Sequence, residues 1–319
     1  MAKRRMGIIA FVFCFCLYLM TCQVIAASTA DAKEPILVDK NCSLNISCCS
    51  DDVAFSDVPV KIYKVADVSK DFQYKLTSSF EKSKLILNDI QTVNEWNVIR
   101  STLETYILAN GVKADFNDVT DSKGQAYFEA LKPGLYLAIT ERVAYGEKTY
   151  VFEPSLIALP GLGADGFWQY NVEVTSKFNV TSSDDDDSEI EFKVLKLWKG
   201  DNAGKTRPSK IKIDIYRNGT IHETVTLSKE NNWKFTWSAK NDGSDWKVVE
   251  RNIPTKYTMT VEKRENSFVL TNTFDDDVPN DSNPPKTGDT SNVMLYIILM
   301  IVSGSMLIIL GIVGKRKRV

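Results

Sequence analysis

The chain has 319 residues, with 39 Lys and Arg against 41 Asp and Glu, one His and six Cys. Between Ala27 and Thr287 the balance is 32 basic to 40 acidic residues, a net charge of −8, which does not suit nucleic acid, whose phosphates call for clustered Lys and Arg. One histidine, no Gly-x-Ser-x-Gly elbow and no spaced set of metal ligands argue against an enzyme, and no cofactor or metal is expected.

In chain order, Lys3-Arg4-Arg5 precedes an apolar stretch from Gly7 to Met20, and Val24-Ile25-Ala26-Ala27 offers small residues for cleavage. Residues 1–26 therefore read as a secretory signal peptide, so the protein is expected to be exported. Cys14, Cys16 and Cys22 leave with it, and Cys42, Cys48 and Cys49 remain, an odd number that leaves at least one thiol unpaired within the chain. From Ala27 to about Lys40 nothing is periodic, and a short leader is expected.

Cys42 to Ser47 alternates as a strand does, and Val58 to Val65 is β-type by composition. A helix follows. Thr92 and Glu95 form a capping-box pair, Trp96, Ile99, Leu103 and Tyr106 recur on one face, and Gly111 is placed to end it. This helix is expected to cover an edge or face of a sheet. After a turn at residues 121–124, strands are expected at Gln125–Ala130, Leu135–Thr140, Tyr150–Leu159 and Tyr170–Val174, separated by Gly and Pro breaks. Residues 41–179 thus form a mainly β domain with a helical insertion.

Residues 180–189 carry four consecutive aspartates, Asp184 to Asp187. Like charges repel and residues 181–189 hold nothing apolar to bury, so this is a solvated acidic linker. It lacks the spaced oxygen ligands and turn glycine of a calcium loop. From 190 to 275 seven short segments alternate with turns: Phe192–Trp198, Ile211–Tyr216, Ile221–Leu227, Trp233–Trp237, Trp246–Glu250, Tyr257–Val261 and Phe268–Phe274. With no helical period among them they predict a β-sandwich. His222, beside an Asn218-Gly219 turn, reads as a surface residue. The fold class is mainly β, two β-sandwich domains in tandem.

Residues 276–283 read as a polar stalk. The uncharged run 293–314 reaches about 33 Å as a helix at ~1.5 Å per residue, enough to cross a hydrocarbon core of roughly 30 Å. Lys315-Arg316-Lys317-Arg318 behind it belongs on the cytoplasmic side. A C-terminal transmembrane helix is expected at 293–314.

Within 284–319, Pro284-Pro285-Lys286-Thr287-Gly288, the apolar span and the short basic tail resemble the cell-wall sorting signal of Gram-positive surface proteins. That signal reads Leu-Pro-x-Thr-Gly. Pro285, Thr287 and Gly288 match it, while Pro284 stands in place of leucine and leaves the sortase class open. The resemblance implies that a sortase cleaves between Thr287 and Gly288 and passes the Thr287 carbonyl to an amine. That amine belongs to a peptidoglycan precursor or to another pilin subunit. The protein would then span the membrane only before sorting and end in the cell wall.

Residues 190–275 resemble a collagen-adhesin B-type domain. The residues carrying this include Lys196-Leu197-Trp198, Asn232-Trp233, Trp246 to Glu250, and Leu270-Thr271-Asn272-Thr273-Phe274. The resemblance implies an immunoglobulin-like fold and an autocatalytic isopeptide bond from Lys196 to Asn272, assisted by Glu250. The residues support this on their own terms. Strand side chains alternate, so Lys196 shares a face with Val194 and Trp198, Glu250 with Trp246 and Val248, and Asn272 with Leu270 and Phe274. An amine held among apolar neighbours loses its proton more readily and becomes a nucleophile. The bland alternative is three edge residues with their polar heads in water.

Residues 41–179 resemble the N-terminal domain of Gram-positive pilins. Asp121, Gly124, Phe128, Leu131, Gly134 and Tyr136 follow its strand-turn-strand pattern, and Trp168, Val172, Val174 and Lys177 match its last-strand motif. Thr175 and Ser176 replace the Tyr-Pro of that motif. The resemblance implies that Lys177 is the amine acceptor in polymerisation. In this domain Glu141 is the sole piece of an internal Lys/Glu/Asn set. Together these readings predict a structural surface protein, a pilin subunit or wall-anchored fimbrial protein, with sortase and other subunits as partners. The alternative is a monomeric wall-anchored adhesin that binds a host ligand through its N-terminal domain.

Overall fold

A computed structural model describes residues 34–50, 53–182, 189–200 and 207–275. The stretches read as signal peptide, stalk and membrane span, the aspartate run, and Pro285, Thr287 and Gly288 of the expected sorting signal lie outside the described residues. The described residues fall within one compact unit. The chain is mainly β, and no described helix is long and apolar enough to cross a membrane.

Up to Ser182 the elements are β1 (Cys42–Ser47), β2 (Pro59–Val68), β3 (Tyr74–Leu76), α1 (Val93–Asn110), β4 (Phe116–Val119), β5 (Gln125–Leu131) and β6 (Gly134–Thr140). They continue with β7 (Val143–Tyr145), β8 (Lys148–Phe152), β9 (Ser155–Leu159), β10 (Gly161–Leu162), β11 (Trp168–Gln169), β12 (Asn171–Thr175) and β13 (Phe178–Ser182). The sheets run β12-β1-β5, β13-β8-β7, β10-β11, and β3-β2-β6-β9 with β4 also on β2.

The sequence of β6, Gly-Leu-Tyr-Leu-Ala-Ile-Thr, is apolar almost throughout because this strand is covered on both faces. Tyr136 and Ala138 face a core shared with Leu44, Ile46 and Phe128. Leu135 and Leu137 face Trp96, Ile99 and Leu103 of α1. The helix begins at the expected capping box of Thr92 and Glu95 and ends at Gly111, which takes a left-handed conformation. Tyr106 is only half-buried.

Three local readings change. The stretch 34–40 is a docked segment instead of a loose leader: Ile36 is buried, its N–H donates to the Lys70 carbonyl at 3.0 Å, and Trp168 Nε1 donates to the Glu34 carbonyl at 2.7 Å. One isoleucine anchors it, and a single anchor has no period to detect. Tyr150–Leu159 is two strands, β8 and β9, in different sheets. Pro154 lies between them and has no N–H to continue a ladder. The strand expected at Tyr170–Val174 is β12, and it is followed by a further strand, β13, that runs past 179 to Ser182, into the stretch read as linker.

The remaining strands are β14 (Glu189–Lys199), β15 (Lys210–Arg217), β16 (Thr220–Ser228), β17 (Lys234–Lys240), β18 (Trp246–Glu250), β19 (Tyr257–Arg264) and β20 (Ser267–Phe274), matching all seven expected segments. They form two sheets, β17-β14-β20-β19 and β16-β15-β18. Phe192, Val194 and Leu270 from one sheet meet Ile213, Ile215 and Val248 from the other in a single core. First and last strands, β14 and β20, lie side by side and parallel.

Candidate functional site

Lys196 lies on β14 and Asn272 on β20. Their register pairs Lys196 with Leu270 and Trp198 with Asn272, so the lysine and the asparagine are diagonal neighbours on one face. Glu250 ends β18 in the opposing sheet and reaches them across the core. Strand alternation turned all three inward, and their exposures are 2%, 4% and 0% for Lys196, Glu250 and Asn272.

Lys196 Nζ stands 2.9 Å from Glu250 Oε2, and Asn272 Nδ2 donates to Glu250 Oε1 at 3.0 Å. Lys196 Nζ and Glu250 Oε2 face each other as a fully buried ion pair, while Asn272 Oδ1 accepts no hydrogen bond. A buried carbonyl oxygen left unsatisfied costs about 1–3 kcal/mol. Burial pushes the Lys196 amine down to about 8, with Glu250 opposing the shift.

The arrangement can carry one covalent step. Neutral Lys196 Nζ would attack Asn272 Cγ, forming a new N–C bond and breaking the Cγ–Nδ2 bond, with Nδ2 departing as ammonia and carrying the proton that the amine gives up. Glu250 touches both the amine and the amide, as a group relaying that proton must.

An aromatic wall closes the site. The Trp198 ring lies 4.9 Å from Lys196 Nζ, and Trp233 and Tyr257 meet its ring edge-on at 5.3 and 5.2 Å. These three residues come from separate strands or turns, and no local signal in the sequence places them together. Lys247 offers a contrast. Burial would lower it, but Glu104 and Asp245 together outweigh burial and hold it above the ordinary lysine value. Lys247 therefore stays charged.

Lys177 is exposed and lies in the break between β12 and β13, where its carbonyl accepts the Glu153 N–H at 2.8 Å. The preceding Ser176 is buried and takes a hydrogen bond from Cys48 Sγ at 3.7 Å. Glu141 pairs with Lys61 Nζ at 2.6 Å on the surface. Cys42, Cys48 and Cys49 are free thiols, and burial pushes Cys42 up to about 11. Among the described residues no group of three or more His, Cys, Asp and Glu could hold a metal.

The stretch from β14 to β20 decides the comparison with known proteins. Residues 192–273 match the Cna protein B-type domain. Lys196, Glu250 and Asn272 all fall within this Cna B-type domain. The collagen adhesin of Staphylococcus aureus is 31% identical over 117 residues, covering 31% of this chain and 10% of that protein. The chain thus spans a tenth of that relative's length. Among solved structures, a single B repeat unit (B1) of the S. aureus collagen-binding surface protein shares 15% identity, covering 74% of this chain and all of that one, with a TM-score of 0.25. The full-length major pilin SpaD from Corynebacterium diphtheriae shares 14% identity over 75% of this chain and 66% of its own, with a TM-score of 0.29. At these scores neither structure carries an argument.

Proposed function

We propose that this chain is a structural protein of a Gram-positive cell surface, a pilin subunit or wall-anchored fimbrial protein, whose Cna B-type domain fastens itself by a Lys196–Asn272 isopeptide bond. The observation that carries this is the meeting of a buried, easily deprotonated lysine with an asparagine amide and the one carboxylate that touches both, inside an apolar core. Residues 41–179 form the pilin-like domain, 190–275 the B-type domain, and 276–283 a stalk. A sortase joins Thr287 to a peptidoglycan precursor or to Lys177 of another copy, and the exposure of Lys177 supports that acceptor role.

The test is the mass of the intact folded chain. The wild type should weigh less than its sequence by one ammonia, and Glu250→Ala and Glu250→Gln should both restore the full mass. A wild type of unmodified mass would remove the crosslink.

A further inference from the structure

The apolar stripe of α1 faces β6, yet two of its polar residues, Thr102 and Thr105, are also buried, at 2% and 3% exposure. For Thr102 the second surface is β19. This strand is the outer member of its sheet, hydrogen-bonded on one side to β20, and an outer strand presents unpaired N–H and C=O groups unless something covers them. The Val261 N–H donates to Thr102 Oγ1 at 2.9 Å. A hydroxyl has one proton to give, and Thr102 gives it to the Val98 carbonyl of its own helix at 2.7 Å, which leaves its lone pairs for Val261.

Two further contacts stand apart from this one. Glu104, on the same helix, pairs with Lys247 Nζ of β18 at 3.3 Å, with side chains 13% and 20% exposed. Lys247 also pairs with Asp245, and Lys263 of β19 reaches Asp245 at 3.9 Å. Between β17 and β18, the Gly243 carbonyl accepts from Arg142 Nη1 at 3.3 Å, and a Cβ at Gly243 would lie 3.1 Å from Thr181 Oγ1 of β13. Three contacts that do not lie on one strand or helix fix the orientation of one body against another.

We propose that α1 is a latch: seated on the uncovered edge of β19 through Thr102 and on Lys247 through Glu104, it makes strands β1–β13 and β14–β20 a single rigid body. The helix therefore serves both sets of strands, one with its apolar stripe and the other with its polar face. This holds whether or not the surface role proposed above does.

Hydrogen exchange and small-angle scattering on the whole chain test it. In the wild type the Val261 amide should be protected although it lies on an outer edge. Thr102→Val, which keeps the shape and removes the acceptor, should speed exchange at Val261 at least tenfold while β14, β15 and β20 keep their protection. Thr102→Ser should restore protection. Independently, Glu104→Lys sets like charges against each other at Lys247 and should widen the scattering-derived size distribution in low salt. Unchanged Val261 exchange in Thr102→Val would overturn the latch. So would wild-type scattering that requires a family of orientations.

Discussion

Refolding the chain at a series of pH values probes the least ordinary feature of the site, a lysine inside a β-sandwich. With Lys196 at about 8, close to 10% of the amine is neutral at pH 7, against ~0.03% for a lysine at its ordinary value, an advantage of roughly 300-fold. The sign for stability follows from the same shift. The folded-state value lies below the unfolded one, so a charged Lys196 destabilises the uncrosslinked fold by about 3 kcal/mol at pH below 8. That penalty fades as the pH rises from about 8 toward the ordinary lysine value, and it vanishes once the amine becomes an amide. Chain collected unfolded, diluted into native buffers between about pH 6 and about pH 9 and quenched in acid, would be weighed as a function of time. The rate of ammonia loss should climb about tenfold per pH unit and level off near 8. A rate that is flat below 8, or one that climbs unbroken past 9, would refute the assignment of Lys196 as a nucleophile prepared by burial. Glu250→Ala should lose no ammonia at any pH.

Electrophoresis of wall extracts boiled in detergent should show a ladder that collapses to monomer in Lys177→Ala while wall attachment persists, and Thr287→Ala should leave the protein extractable by detergent. A wild type running as one band would favour a monomeric adhesin over a polymerised pilin. Gly124→Ala should lower stability by about 3 kcal/mol, read from the denaturant midpoint, because its Cβ would lie 2.4 Å from the Cys48 carbonyl oxygen at a φ of +74°. Gly111→Ala, at an open helix end with nothing within 4 Å, should cost only about 1 kcal/mol.

The strands between Glu189 and Phe274 were legible because several of them, β14, β19 and β20 above all, alternate over a core that binds one face. The same alternation exposed Lys196, Glu250 and Asn272 as polar residues in apolar company. What alternation cannot supply is the pairing of β14 with β20, which are first and last in sequence, and that pairing brings the lysine to the asparagine. The helix was legible from its cap and its apolar stripe, but only half of its role was. Thr102 looks like an ordinary solvated position until a strand 159 residues away is placed against it. Pro154 lay inside what read as one strand, because the apolar residues on either side of it continue the same pattern. The wall of Trp198, Trp233 and Tyr257 is a product of tertiary folding alone.

Because β14 and β20 run parallel, the chain enters this set of strands at one pole and leaves it at the other. Tension applied through the two ends therefore shears the pair lengthwise instead of peeling it one bond at a time. Seven residue pairs, from Lys193 with Ser267 to Lys199 with Thr273, resist together. Lys196 and Asn272 sit within that ladder, so a covalent link there would hand the force directly from the first strand to the last. Everything between them, roughly 250 Å of chain at ~3.4 Å per residue, would be spared extension however hard the ends were pulled.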